Sequence, residues 1–217
     1  MHKVGGYNII NNIKVNDTNP IYFVRHGSTH ANDDGLFRGY MDYQLSDDGK
    51  EDAESVADFL SDKGIRKIVC SPLSRAIETA QIIARKVGID SIQVDDGLLP
   101  LDVGKFAGES RKDNWKEFTQ YLKDPDKTIP DGQSINEFHN QNVETFKRIA
   151  DEAERDGPTV IVAHTSNVVS IDNMQKDNFD SKPESDEIIP PGGILKIEDG
   201  KSEVVHGEPG KGTFGSS

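Results

Sequence analysis

The chain has 217 residues, 38 of them acidic and 25 basic, and a formal net charge of −13. That length suits one compact domain with short arms rather than two full domains. The acidic balance speaks against nucleic acid or an anionic membrane as main partner, since both need a positive surface, yet a few arginines could still hold a small anionic substrate. Apolar residues are 34% of the chain and gather in blocks, so a packed core is possible. Cys70 is the single cysteine, which excludes an internal disulfide or a thiolate-rich metal site and fits a reducing compartment. Segment 1–19 has no apolar stretch of signal-peptide type, and no apolar run approaches the roughly 20 residues of a membrane helix. The expectation is a soluble, cytoplasmic protein with an N-terminal arm at 1–19, one domain at 20–206 and a flexible, glycine-rich tail at 207–217.

In chain order, Ile21-Tyr22-Phe23-Val24 is rich in β-branched and aromatic residues, and reads as a buried strand that stops at Arg25-His26-Gly27. Ser46 is placed to cap a helix whose face is Ala53, Val56, Ala57 and Leu60, with Gly64 as its stop. Ile68-Val69-Cys70 is a second strand. Ser71-Pro72 then predicts a helix start, with Ser71 as N-cap, Pro72 in the first helical position and Gly88 at the end. A short strand follows at Ile92-Gln93-Val94. Within 98–133, Trp115, Phe118, Tyr121 and Leu122 suggest a short helix, and Pro125, Pro130 and Gly132 then break the chain. A long helix runs from Ile135 to Ala153, an apolar strand from Thr159 to Ala163, and two strand candidates, 193–198 and 202–206, close the domain. Strands that alternate with helices, the central ones apolar on both faces, predict an α/β fold: a three-layer α/β/α domain with a mainly parallel sheet.

Ligands of such sheets bind at the carboxyl ends of the strands. Arg25 and His26 follow the first strand, Ser71 and Arg75 the second, and His164, Thr165, Ser166 and Asn167 the long apolar one. Two arginines and two histidines thus converge on one edge. Guanidinium forks match phosphate oxygens. One histidine nitrogen can attack phosphorus, and the second histidine, if protonated, can stabilise the equatorial oxygens. No carboxylate or histidine cluster has metal-ligand spacing. His2, His30, His139 and His206 read as surface or structural.

The segment Val24-Arg25-His26-Gly27-Ser28-Thr29 resembles the signature of the histidine phosphatase superfamily, which includes the phosphoglycerate mutases. Asn32 and Gly39, Leu45-Ser46 with Gly49, Ser71-Pro72-Leu73-Ser74-Arg75-Ala76, Pro130-Asp131-Gly132-Gln133-Ser134 and Val162-Ala163-His164 resemble further elements of that family in the same order. The resemblance implies a phosphorylated nucleophile at His26, with Arg25, Arg75 and His164 on the phosphate. It also implies Asn32, Arg38, Gly39, Thr165 and Ser166 as substrate contacts, a small phosphorylated substrate, and no metal or organic cofactor. Two positions depart from the pattern. Pro100 stands where the family carries a catalytic glutamate, so Asp102 is the candidate acid, with Glu109 behind it; Asp102 reads equally as a turn residue. Leu36 stands where many members have arginine, and Arg38 is the candidate substitute. The expected function is phosphomonoester hydrolysis through phosphohistidine. The alternatives are a mutase-type phosphotransferase and a catalytically weak member that binds a phosphorylated ligand or protein partner. The sequence carries no signal for oligomeric state.

Overall fold

The computed structural model describes residues 2–4, 7–9, 19–30, 35–175 and 189–207. Two short strands, β1 (His2–Val4) and β2 (Tyr7–Ile9), pair antiparallel within the segment read as an arm. The domain itself runs β3 (Ile21–Arg25), α1 (Asp47–Leu60), β4 (Lys67–Cys70), α2 (Ser74–Val87), β5 (Gln93–Val94), α3 (Arg111–Lys123), α4 (Ile135–Asp156), β6 (Thr159–Ala163), α5 (Thr165–Gln175), β7 (Ile194–Glu198) and β8 (Lys201–His206). The six-stranded sheet has the order β5-β4-β6-β3-β7-β8. Its first four strands are parallel, and β7 and β8 add an antiparallel edge.

The central strands are buried along both faces, so alternate residues feed two separate cores. Tyr22, Val24, Ile68, Cys70, Val160 and Val162 pack under α1 and α2. Ile21, Phe23, Val69, Ile161 and Ala163 pack under α4 and α5 on the opposite side. This is the expected three-layer α/β/α architecture with a mainly parallel sheet. A third, smaller core joins Phe37, Val103, Phe106, Phe118, Tyr121 and Ile129. It welds the loop after β3, the 101–108 segment and α3 into a cap at the carboxyl end of the sheet.

Local signals explain most boundaries. Ser46 caps α1 by accepting from the Gly49 amide, and Ser134 with Glu137 forms a capping box at α4. Gly88 closes α2 with a left-handed φ of 76°. One expected cap is corrected. Helix α2 begins at Ser74, not at Ser71-Pro72, and its N-cap position is Leu73, which has no side chain to offer. The first turn is held instead from another loop, where Asp42 accepts from both the Ser74 amide (2.8 Å) and its hydroxyl (2.7 Å). Ser71 is otherwise engaged, as described below. The flexible tail expected at 207–217 lies, beyond Gly207, outside the described residues.

Candidate active site

Strand register builds the site. Arg25 lies opposite Ala163 in the parallel β3–β6 pair, and Cys70 lies opposite Val162 in β4–β6. The next residues, His26, His164 and Ser71, therefore leave the sheet side by side. The rings of His26 and His164 stand edge to face with centroids 5.2 Å apart. Arg75 enters from the first turn of α2, and its Nε donates to His26 Nε2 (3.2 Å). All four side chains of Arg25, His26, Arg75 and His164 are buried.

The hydrogen bonds fix which nitrogen of His26 can act. Its Nδ1 lies 2.7 Å from the Gly27 carbonyl, which can only accept, so Nδ1 carries the proton. Nε2 is left with the lone pair, directed at the Arg75 guanidinium. Burial first, then the charges of Arg75, Arg25 and Arg38, holds the pKa of His26 well below the ordinary histidine value. The ring is neutral, as a nucleophile must be. His164 is lowered in the same way, by burial first, then Arg75, His26, Arg38 and Arg25. The condition attached to the second histidine, that it be protonated, is thus not met before an anion enters. His164 Nε2 pairs with the Ser71 hydroxyl (2.7 Å), and its buried Nδ1 has no hydrogen-bond partner among the described residues.

The arginines crowd one another. Burial, with repulsion from Arg38, brings the Arg75 pKa down to about 10. Its hydrogen bonds to described residues all go to neutral acceptors: His26, the Met41 carbonyl (2.9 Å) and the Gly39 carbonyl (3.5 Å). Arg25 Nη1 donates to the Ile189 carbonyl (3.0 Å). Buried cations are costly unless negative charge is brought to them, and the Asp42 carboxylate supplies part of it at Arg75. Arg38, two residues after Leu36, is near enough for its charge to act on His26, His164 and Arg75 alike.

A second tier of bonds positions these groups. Asn167 accepts from the His164 amide (3.3 Å) and donates to the Leu99 carbonyl (3.1 Å) and to Asn142 of α4 (3.0 Å). Ser166 accepts from the Leu101 amide (3.2 Å), a loop-holding bond. The segment carrying buried Pro100 is thereby pinned on both sides against the His164 turn. Asp102 follows it, half-buried, and its Oδ1 accepts from the Gly104 amide (3.0 Å). Thr165 is half-buried in the first turn of α5, and Glu109 is exposed. Gly39 touches the site through its carbonyl, whereas Asn32 lies outside the described residues. Among the described residues, no group of three His, Cys, Asp or Glu side chains could hold a metal ion. Burial pushes the Cys70 thiol up to about 12, which suits its reading as an inert strand residue.

Sequence reasoning placed Asn167 among the residues after the long strand without giving it a role, and it missed Asn142 altogether and Ser71 as the partner of His164. Asn167 had a detectable signal, three residues past His164 in the first turn of a helix. Asn142 had none, since only tertiary contact brings α4 to that turn.

Residues 21–171 match the model of the histidine phosphatase superfamily (branch 1). The chain is 33% identical over 153 residues to phosphoglycerate mutase-like protein 4 of Arabidopsis thaliana, covering 66% of this chain and 65% of that protein. It is 34% identical over 124 residues to a probable phosphoglycerate mutase GpmB of Enterobacter sp. (strain 638), covering 54% and 57%. The match thus spans less than two thirds of the length of either relative. The fold superposes on the alpha-ribazole phosphatase from Shigella flexneri with a TM-score of 0.71, covering 90% of this chain and 100% of that one at 20% identity, a likeness of fold alone. With the family model spanning most of the sheet and both histidine turns, the chain belongs to branch 1 of the histidine phosphatase superfamily.

Proposed function

We propose that the protein hydrolyses small phosphomonoesters through a phosphohistidine on His26. The observation that carries this reading is the His26 ring: neutral, fixed through Nδ1, with its Nε2 lone pair beside Arg75 in a buried pocket of positive charge. An incoming phosphoryl group offers its oxygens to Arg25, Arg38, Arg75 and the buried Nδ1 edge of His164. Arg75 then turns from Nε2 to those oxygens and bares the lone pair. Nε2 attacks phosphorus, the bond from phosphorus to the ester oxygen breaks, and that oxygen takes a proton from Asp102. The Gly27 carbonyl steadies the positive imidazole by keeping the Nδ1 proton. Water next attacks phosphorus, the N–P bond breaks, and the proton lost by the water returns to Asp102. The positive charge that phosphoryl transfer needs comes from guanidinium groups, so chelation by EDTA should leave turnover intact; a strict metal requirement would contradict this chemistry.

Rapid quenching with labelled substrate should trap acid-labile label on His26, and His26→Ala should abolish both label and turnover. Near-normal activity in that variant would refute the mechanism. Pro100 favours a second reading, a phosphate-binding protein of little turnover, because a proline cannot pass a proton. Binding of phosphate or vanadate without turnover of p-nitrophenyl phosphate would establish it. Mutase-type transfer, suggested by the names of the curated relatives, differs in the acceptor and would appear as phosphate exchange between phosphoglycerates.

A further inference from the structure

One peptide unit joins the nucleophile to helix α1. The carbonyl of the 27–28 peptide lies 2.7 Å from His26 Nδ1, and the amide of the same peptide, that of Ser28, donates to the Asp52 carboxylate (2.9 Å). The same carboxylate oxygen accepts from the Ser28 hydroxyl (2.7 Å). Asp52 is half-buried in the second turn of α1, and no lysine or arginine among the described residues is ion-paired with it. The turn before β7 closes over it. A Cβ on Gly192 would fall 2.9 Å from that of Asp52, and the Gly192 amide donates to the Arg25 (3.1 Å) and His26 (3.3 Å) carbonyls. The carboxylate is thus wedged against the strand end that carries the nucleophile, and its bonds go to the loop peptide rather than to a cation.

A peptide is a conjugated unit, so a charge at its N–H is felt at its carbonyl oxygen. A carboxylate on the Ser28 amide raises the electron density of the Gly27 oxygen and strengthens it as acceptor for the Nδ1 proton. This matters most once phosphorus has joined Nε2, because the ring is then a cation. Burial opposes a positive ring, and so do Arg75 from α2, Arg25 at the end of β3 and Arg38 from the loop beyond it, whereas the bond to Gly27 favours one. Loss of the Nδ1 proton would leave a neutral phosphoimidazole. Water could then displace only an imidazolate, a far poorer leaving group than imidazole. With the proton retained, water attacks phosphorus and loses its proton to Asp102. The electron pair of the N–P bond returns to Nε2, and the ring leaves as the neutral imidazole from which it started.

We infer that Asp52 is a positioning residue for the nucleophile: acting through the 27–28 peptide, it keeps the Nδ1 proton on the His26 ring while Nε2 carries phosphorus, and so sets the rate at which the phosphoenzyme breaks down. This role rests on the phosphohistidine reading above and concerns its second step.

Rapid quenching with radiolabelled phenyl phosphate, followed by a chase of unlabelled ester, gives the decay rate of label on His26. Asp52→Asn keeps an acceptor for Ser28 and removes the charge. At pH 7.5 its decay should be about tenfold slower than that of the native protein, the order of difference between a charge-assisted and a neutral hydrogen bond, and label should accumulate. The native-to-variant ratio of decay rates should approach one as the pH is lowered to about 6, because the solution then supplies the ring proton. Asp102 and His164 are present in both proteins and drop out of that ratio. A purely structural Asp52 would give a ratio flat in pH. Should Asp52→Asn fail to fold, the native protein carries the test: with vanadate at Nε2, the Nδ1 proton should persist as a downfield proton resonance at pH 7.5. Its absence there, a decay ratio near one at pH 7.5, or a ratio that does not change with pH overturns the role of Asp52 and leaves the phosphohistidine reading standing. No label on His26 in the native protein overturns both.

Discussion

One bond separates the two readings of Asp102. Its Oδ1 accepts from the Gly104 amide, as a turn residue would, but a carboxyl has a second oxygen able to carry a proton. Asp102→Asn discriminates cleanly, since an asparagine carbonyl still accepts from Gly104 while the acid is gone. If Asp102 is the donor, alkyl phosphates should lose about two orders of magnitude or more in kcat, the usual contribution of general acid catalysis. p-Nitrophenyl phosphate, whose leaving group needs little protonation, should lose far less. Small, equal losses on both would leave Asp102 as a turn residue. Pro100→Glu makes the complementary test. Leu99 and Leu101 are clamped by Asn167 and Ser166, so a glutamate between them would be presented beside the His164 turn, and alkyl turnover should rise about tenfold. No rise would mean that Pro100 is not the cause of slow chemistry. At this scale Arg25, His26, Arg75 and His164 were legible because each sits in a short motif at a strand end or helix start. The roles of Ser71 and Asn142 were not, since their partners lie 93 and 25 residues away in sequence.

Between elements, the contact that positions the nucleophile is a glycine pair. The loop after β3 crosses the first turn of α1 so closely that a Cβ on Gly27 would fall 2.2 Å from the Gly49 carbonyl oxygen, and one on Gly49 would fall 1.9 Å from that of Ser28. Both obstacles are backbone and neither can give way. Around this crossing, Asp52 accepts from the Ser28 amide (2.9 Å) and hydroxyl (2.7 Å), and the Gly27 amide donates to Thr79 (3.2 Å). Gly49→Ala should therefore cost about 2 kcal/mol or more in urea unfolding, at the upper part of the usual overpacking range. It should also lower kcat, because the displaced loop carries His26 and the carbonyl that holds its proton. A variant of native stability and activity would show that the crossing is loose. In sequence, Gly49 was visible only as a residue near a helix start; its need for the hydrogen side chain comes from a loop 22 residues upstream. The start of α2 was misread for a related reason. Ser-Pro is a good local start signal, but Ser71 is committed to His164 and the first turn is capped by Asp42 from outside the helix.

For the whole molecule, the alternation of apolar strands and amphipathic helices carried the fold class, because strands buried on both faces are seldom anything but the middle of a helix-covered sheet. Strand order, the antiparallel edge and the third core around Phe37, Phe106 and Phe118 were not legible, since they depend on pairings between distant segments. The same holds for His139, read from sequence as a surface or structural residue. It is buried between α4 and α5, with Nδ1 2.8 Å from the Ser170 hydroxyl, and burial lowers its pKa from the ordinary 6.5 to about 4. The sign of the consequence follows from proton counts. Between about pH 6.5 and about pH 4 the unfolded chain binds a proton at this position that the folded chain refuses, so stability falls as pH falls through that window and is insensitive to this group above it. The buried rings of His26 and His164 are shifted in the same direction and add to the trend, so substrate-free protein should be markedly acid-labile. His139→Gln isolates one contribution, because glutamine can keep a bond to Ser170 but does not titrate. Urea unfolding at pH 7.5 and pH 5 should show the native protein losing about 2 kcal/mol more than the variant, from about 1.4 kcal/mol for each pH unit below the unfolded value. Equal losses in the two proteins would mean that His139 accepts a proton while folded. A phosphate analogue such as vanadate bears on the active-site pair alone: by placing negative charge against His26 and His164 it should raise both folded pKa values and recover part of the acid loss, while leaving the His139 difference unchanged.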